Sequence, residues 1–97
     1  MNIRDLNRFS EYQPSSKSVQ DLLDHFHEAL KPLLKQPAWC IQGLRYKVKQ
    51  HRGLHFVIHA LVDREQEFEI HIHKESSQYR SRATVVSVKP LLKEYSL

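Results

Sequence analysis

Between Val19 and Leu34, apolar side chains return every three or four positions: Val19, Leu22, Leu23, Phe26, Leu30, Leu33 and Leu34. That spacing winds into one stripe along an α-helix, with Gln20, Asp24, His27, Glu28 and Lys31 on the other face. Ser18 followed by Asp21 has the form of a capping box and predicts the helix start there. Pro32 removes a helical hydrogen bond and disfavours a helical Lys31, so a kink or tightened last turn is expected there, and a stop by Pro37. Residues 1–17 read as a leader arm that ends at Pro14-Ser15-Ser16. Ile3, Leu6 and Phe9 recur there every three positions, which fits one or two helical turns or an arm packed on a partner.

After Ala38 the period changes from 3.6 to 2. Leu44, Tyr46 and Val48 alternate with Arg45, Lys47 and Lys49; Trp39 and Ile41 alternate one position out of phase, so a β-bulge is expected at Gly43. Leu54, Phe56, Ile58, Ala60 and Val62 predict a second strand, Phe68, Ile70 and Ile72 a third, and Ala83 to Val88 a fourth. Residues 75–82 read as a loop, and Leu91, Leu92 and Tyr95 as a short terminal helix. The fold class is α+β: residues 18–97 form one domain, an amphipathic helix on one face of a three- to four-stranded antiparallel meander. Cystatin-like, ferredoxin-like and rarer layouts all fit this description. Matching apolar faces predicts Val48 opposite Leu54, Tyr46 opposite Phe56, Val62 opposite Phe68, Ala60 opposite Ile70 and Ile58 opposite Ile72. The outward face then carries Arg45, Lys47 and Lys49, then His55, Val57, His59 and Leu61, then Glu67, Glu69, His71 and His73. His59 falls opposite His71, and Val57 opposite His73.

Composition narrows the class of protein. Hydrophobic residues make up 40% and charged residues 27% of 97 residues, which suits one globular domain. With Cys40 alone, no internal disulfide forms, and Cys40 reads as a buried structural thiol beside Trp39 and Ile41. Arg4, Asp5 and Arg8 interrupt every short apolar run near the N-terminus, and no stretch reaches the roughly 20 residues of a membrane span. A cytoplasmic protein without membrane contact is expected. The net charge of +4 is unevenly placed. No acidic residue lies between Glu28 and Asp63, whereas Asp63, Glu65, Glu67, Glu69 and Glu75 crowd the next segment.

Seven histidines are many for this length. His59, His71 and His73, brought together in the expected register, form a candidate site for zinc, nickel or copper, with Glu69 or water completing the shell. Packed imidazoles also predict a proton switch, with folding or association weaker below about pH 6. His71-Ile72-His73 resembles the metal-binding motif of the HUH endonucleases, which cut single-stranded DNA with a divalent metal and a helix-borne tyrosine. The resemblance covers these three residues and implies Tyr79 or Tyr95 as nucleophile; the chain is short for that family.

Arg45, Lys47, Lys49 and Arg52 form a basic edge flanked by His51 and His55, a candidate nucleic-acid surface. The aromatic side chains on which single strands stack are missing from the outward face in this reading. The α-β-β-β opening resembles double-stranded-RNA-binding domains, but residues 75–97 hold no match for their basic second helix. Only Gly43 and Gly53 are present, so no glycine-rich phosphate loop can form. The leading expectation is a non-enzymatic homodimeric module. Its interface residues are Val57, Leu61, His55, His59, Glu67 and Glu69, which place a basic side against an acidic side across a two-fold axis.

Overall fold

The computed structural model describes residues 8–76, 78 and 81–91. Its elements are β1 Gln13–Pro14, α1 Lys17–His25, α2 His27–Leu34, β2 Ile41–Gln50, β3 Leu54–Val62, β4 Gln66–Lys74 and β5 Ala83–Pro90. The strands form one antiparallel sheet in chain order, β1 to β5. The α+β class agrees with expectation; among the described residues the counts differ, with two helices where one N-terminal helix is expected and five strands for three or four. Sequential order without a crossover excludes the ferredoxin-like layout. Ile3, Leu6, Tyr79 and the terminal helix expected around Leu92 and Tyr95 lie outside the described residues. No described helix is long and apolar enough to cross a membrane.

The helical stripe forms, but its boundaries move. Ser16 caps α1 in place of Ser18, accepting the Val19 N–H at 3.2 Å. Asp21 instead pairs with Lys17 at 2.9 Å. The break falls at Phe26 (φ −94°, ψ 7°), while Pro32 sits inside α2. Leu30 still donates to the Phe26 carbonyl at 2.8 Å, so hydrogen bonding continues past the break. Nothing in the residue types at Phe26 explains why it falls there. Lys35, with φ 57°, ends α2 in the left-handed region before Pro37.

Val19, Leu23, Leu30, Leu34 and Ala38 pack on Ile41, Ile58, Ala60, Val62, Phe68, Ile70 and Ile72. Each large side chain buried this way stabilises the fold by about 1.5–3 kcal/mol. The expected bulge is present: Gly43 pairs with Ala60 and Arg45 with His59, leaving Leu44 as the extra residue. Gln20 fastens α1 to it, its Oε1 accepting the Gly43 N–H and its Nε2 donating to the Ile41 carbonyl, both at 2.9 Å. A second bulge leaves Val86 between Ser87, opposite His71, and Val85, opposite Ile72.

Faces agree with expectation; partners do not. Val48 pairs with Phe56, Tyr46 with Ile58, Ala60 with Phe68 and Ile58 with Ile70. A slide of two residues leaves every side chain on its own face, so apolar matching alone does not detect it. The turns set the register instead. Residues 51–53 have positive φ at Arg52 and Gly53, and residues 63–65 at Asp63 and Arg64, where Glu65 donates to the Val62 carbonyl at 3.0 Å.

Asp63 also holds the loop that leads into β2. Its Oδ1 accepts the Trp39 and Cys40 N–H groups, both at 2.8 Å, and its own N–H donates to the Cys40 carbonyl at 2.8 Å. β2 starts at Ile41, so the alternation does not reach back to Trp39, whose side chain is 87% exposed. Cys40 is likewise exposed, correcting the expectation of a buried thiol.

Candidate functional site

The sheet face away from the helices is organised in rows across the strands. One row runs Arg45, His59, Glu69, Lys89; the next Lys47, Val57, His71, Ser87; the next Lys49, His55, His73, Thr84. His59 therefore faces Glu69, and His71 faces Val57, in place of the expected His59–His71 pair. The three residues of the expected metal set are held by different partners. Among the described residues, no three His, Cys, Asp or Glu side chains are grouped to hold a metal ion.

Residues 10–15 of the leader run along the edge of β2 in their own chain. Ser10 N–H donates to the Val48 carbonyl at 2.8 Å, Val48 N–H to Ser10 Oγ at 3.1 Å, and Ser15 N–H to the bulged Leu44 carbonyl at 3.1 Å. Gln13 pairs with Tyr46 and Pro14 with Arg45. Proline lacks an N–H, so an edge position suits it. This pairing places Phe9 and Tyr12 beside the basic strand. The Lys47 ammonium lies 4.8 Å from the Phe9 ring centroid and 5.2 Å from that of Tyr12; the Lys49 ammonium lies 4.7 Å from Phe9. Sequence reasoning missed these two rings because the arm shows no alternation strong enough to mark a strand. The one available signal was Pro14, an edge residue following two aromatic side chains.

Hydrogen-bond partners fix the imidazole tautomers. Arginine only donates, so His59 Nδ1, 3.1 Å from Arg45 Nη1, carries the lone pair. His59 Nε2 then carries the hydrogen and donates to Tyr12 Oη at 3.1 Å, with Glu69 Oε1 at 3.8 Å. The Tyr12 and His59 rings also touch, with centroids 4.7 Å apart. His55 Nε2 donates to the His51 carbonyl at 3.1 Å, so His55 Nδ1 accepts from His71 Nε2 at 3.0 Å. His73 stacks on His55 at 4.5 Å and donates to the Arg52 carbonyl at 2.7 Å.

Burial lowers the pKa of His55, His59 and His71 below the ordinary 6.5. Nearby cations add to this: Arg45 and Lys47 at His59, and Lys49 at His55 and His71. Burial alone would raise Glu69, but the Lys89 ammonium at 2.9 Å outweighs it and holds the carboxyl below its usual range. These three imidazoles bind protons more weakly folded than unfolded. Their stabilising contribution is therefore complete above pH 6.5 and is lost as pH falls through their lowered values. The melting temperature is expected to drop between pH 7.5 and 5.5; an equal or higher value at pH 5.5 would contradict this arrangement.

Acidic side chains on this face are matched within the chain, Glu67 by Arg45 at 3.5 Å and Glu69 by Lys89. Among the described residues Lys47 and Lys49 form no ion pair. Val57, expected at a dimer axis, is 7% exposed within the single chain, and Leu61 is half-buried. Arg52 is exposed at the tip of the turn before β3. No protein-family model matches the chain, and no curated protein is similar enough to count as a relative.

Proposed function

We propose that this protein is a non-enzymatic module that binds single-stranded nucleic acid along the β1–β2 side of its outward face. The observation that carries the reading is the placement of Phe9 and Tyr12 against Lys47 and Lys49. Single-strand binders combine cations that follow the phosphates with rings on which bases stack, and both are present here within a few ångströms. Tyr12 is 43% exposed, leaving ring surface for a base. Arg8, Phe9, Ser10 and Lys49 also border an open groove at this edge, together with Val48, Gln50 and Leu54. Arg45 and Arg52 extend the basic strip at either end. The homodimer through Val57 and Leu61 has less support: Val57 offers little area to a partner, and Glu67 and Glu69 already have cations of their own.

Titration of a labelled oligonucleotide, followed by fluorescence anisotropy, tests the reading. Affinity is expected to fall with salt, with a logarithmic slope of about −0.7 for each phosphate contact. Lys47→Gln with Lys49→Gln is expected to flatten that slope by about 0.7 per lysine. Binding that ignores salt, or a slope unchanged in the double variant, would exclude this strip as the contact surface. Sedimentation of the unliganded protein at the same concentrations separates this reading from the homodimer.

A further inference from the structure

We propose that the nucleic-acid-binding face takes up protons when it binds, so that its grip on a single strand tightens as pH falls. This rests on the reading above and adds its regulation. Seven histidines leave several that the stacking surface does not use, and His55 and His59 share an unusual property, with His71 as the donor to His55. In the unliganded protein the accepting nitrogen of His59 is pinned by the Arg45 guanidinium, and that of His55 by the His71 N–H. A proton added at His59 Nδ1 sets two donors against each other at 3.1 Å, so it must expel the Arg45 guanidinium; one added at His55 Nδ1 makes His71 either move away or shift its own hydrogen to Nδ1.

The charges around these rings reinforce that resistance. His59 is faced by Arg45 and Lys47 from β2, by Glu67 and Glu69 from β4, and by Tyr12 from the arm. His55 and His71 are faced by Lys49 from β2, His51 from the turn, and His73 and Glu69 from β4. From β5 come uncharged Ser87 and Thr84, while Lys89 is taken by Glu69.

A phosphodiester laid over Lys47 and Lys49 reverses the balance. Its negative charge offsets the lysines that disfavour imidazolium, and its oxygens accept the N–H groups that protonation displaces, including that of Arg45. Protonation and phosphate binding then favour each other by the same factor, as linkage requires. The sign is opposite to that of the free protein, which acid destabilises. Both behaviours come from the same engaged nitrogens.

The test is the affinity for a labelled oligothymidylate, whose bases do not titrate in this range, at pH 7.5, 6.5 and 5.5 and constant ionic strength. Circular dichroism verifies that the protein is folded at each pH. About tenfold or more tighter binding at pH 5.5 than at 7.5 is expected, since one proton taken up contributes up to tenfold per pH unit. His59→Gln and His71→Gln should each reduce that gain, whereas His25→Gln, on the exposed side of α1, should keep it. Affinity that is flat or weakens in acid, with binding present at pH 7.5, overturns the proton uptake and leaves the nucleic-acid reading standing. Absence of binding at every pH overturns both.

Discussion

Gly53→Ala is expected to destabilise the protein by about 2 kcal/mol or more, lowering the melting temperature by roughly 8 °C or more. Two causes add. The Gly53 backbone has φ +106°, where an L side chain is strained. An added Cβ would also press on the Lys74 carbonyl oxygen, with His73 Nε2 at 2.8 Å and the Glu75 carbonyl at 2.9 Å. Backbone carbonyls of a paired strand have little room to retreat. Gly43→Ala is the informative contrast. Its Cβ would meet Ser15 Oγ at 2.6 Å and Leu23 Cδ1 at 3.2 Å, and Gly43 is not a positive-φ position. A hydroxyl can rotate away, so this change should cost clearly less. Thermal melts of the two variants decide the matter: equal losses, or a larger loss at Gly43, would contradict the turn geometry. Gly53→Ala should also disturb the imidazole layer, because the turn supplies the His51 and Arg52 carbonyls that hold His55 and His73.

Periodicity revealed the faces of this fold more reliably than its pairings. Val19, Leu23, Leu30 and Leu34 of the helical stripe and the inward set Ile58, Ala60, Val62, Phe68, Ile70 and Ile72 stand in the core as their spacing requires, with Leu22 and Phe26 packed against it, whereas Leu33 of the same stripe is exposed. The bulge at Gly43 was legible because a phase change in a strand needs one extra residue. Register was not legible. A slide of two positions preserves every face, and only the conformations of Arg52, Gly53, Asp63 and Arg64 select between the alternatives. The candidate site inherited that ambiguity. His59 gained Arg45, Tyr12 and Glu69 as neighbours in place of His71, while His71 gained His55. Trp39 was misplaced for a different reason: Asp63 binds the backbone ahead of β2, so the loop and not the strand sets that side chain's direction.

The arm changes the character of the outward face. Without it, Arg45, Lys47 and Lys49 make a solvated basic strand of the kind that also discourages edge pairing. With Phe9 and Tyr12 beside them, the lysine stems and rings form a mixed surface, and the Tyr12 hydroxyl links the arm to His59. Each ring that stacks a base contributes about 1–3 kcal/mol to single-strand binding. Removing both rings is therefore expected to weaken single-strand binding strongly. Neither ring belongs to the buried helix-facing core, so the fold should survive their loss.

The most direct measurement is the affinity of Phe9→Ala/Tyr12→Ala for a single-stranded oligonucleotide, beside that of the intact chain at low salt and pH 6.5. Loss of the two stacking contacts is expected to weaken binding by a factor of roughly 30 to 2 × 10⁴, while circular dichroism reports the same sheet and helices. An affinity for the single strand unchanged in the folded variant would show that bases do not stack on Phe9 and Tyr12.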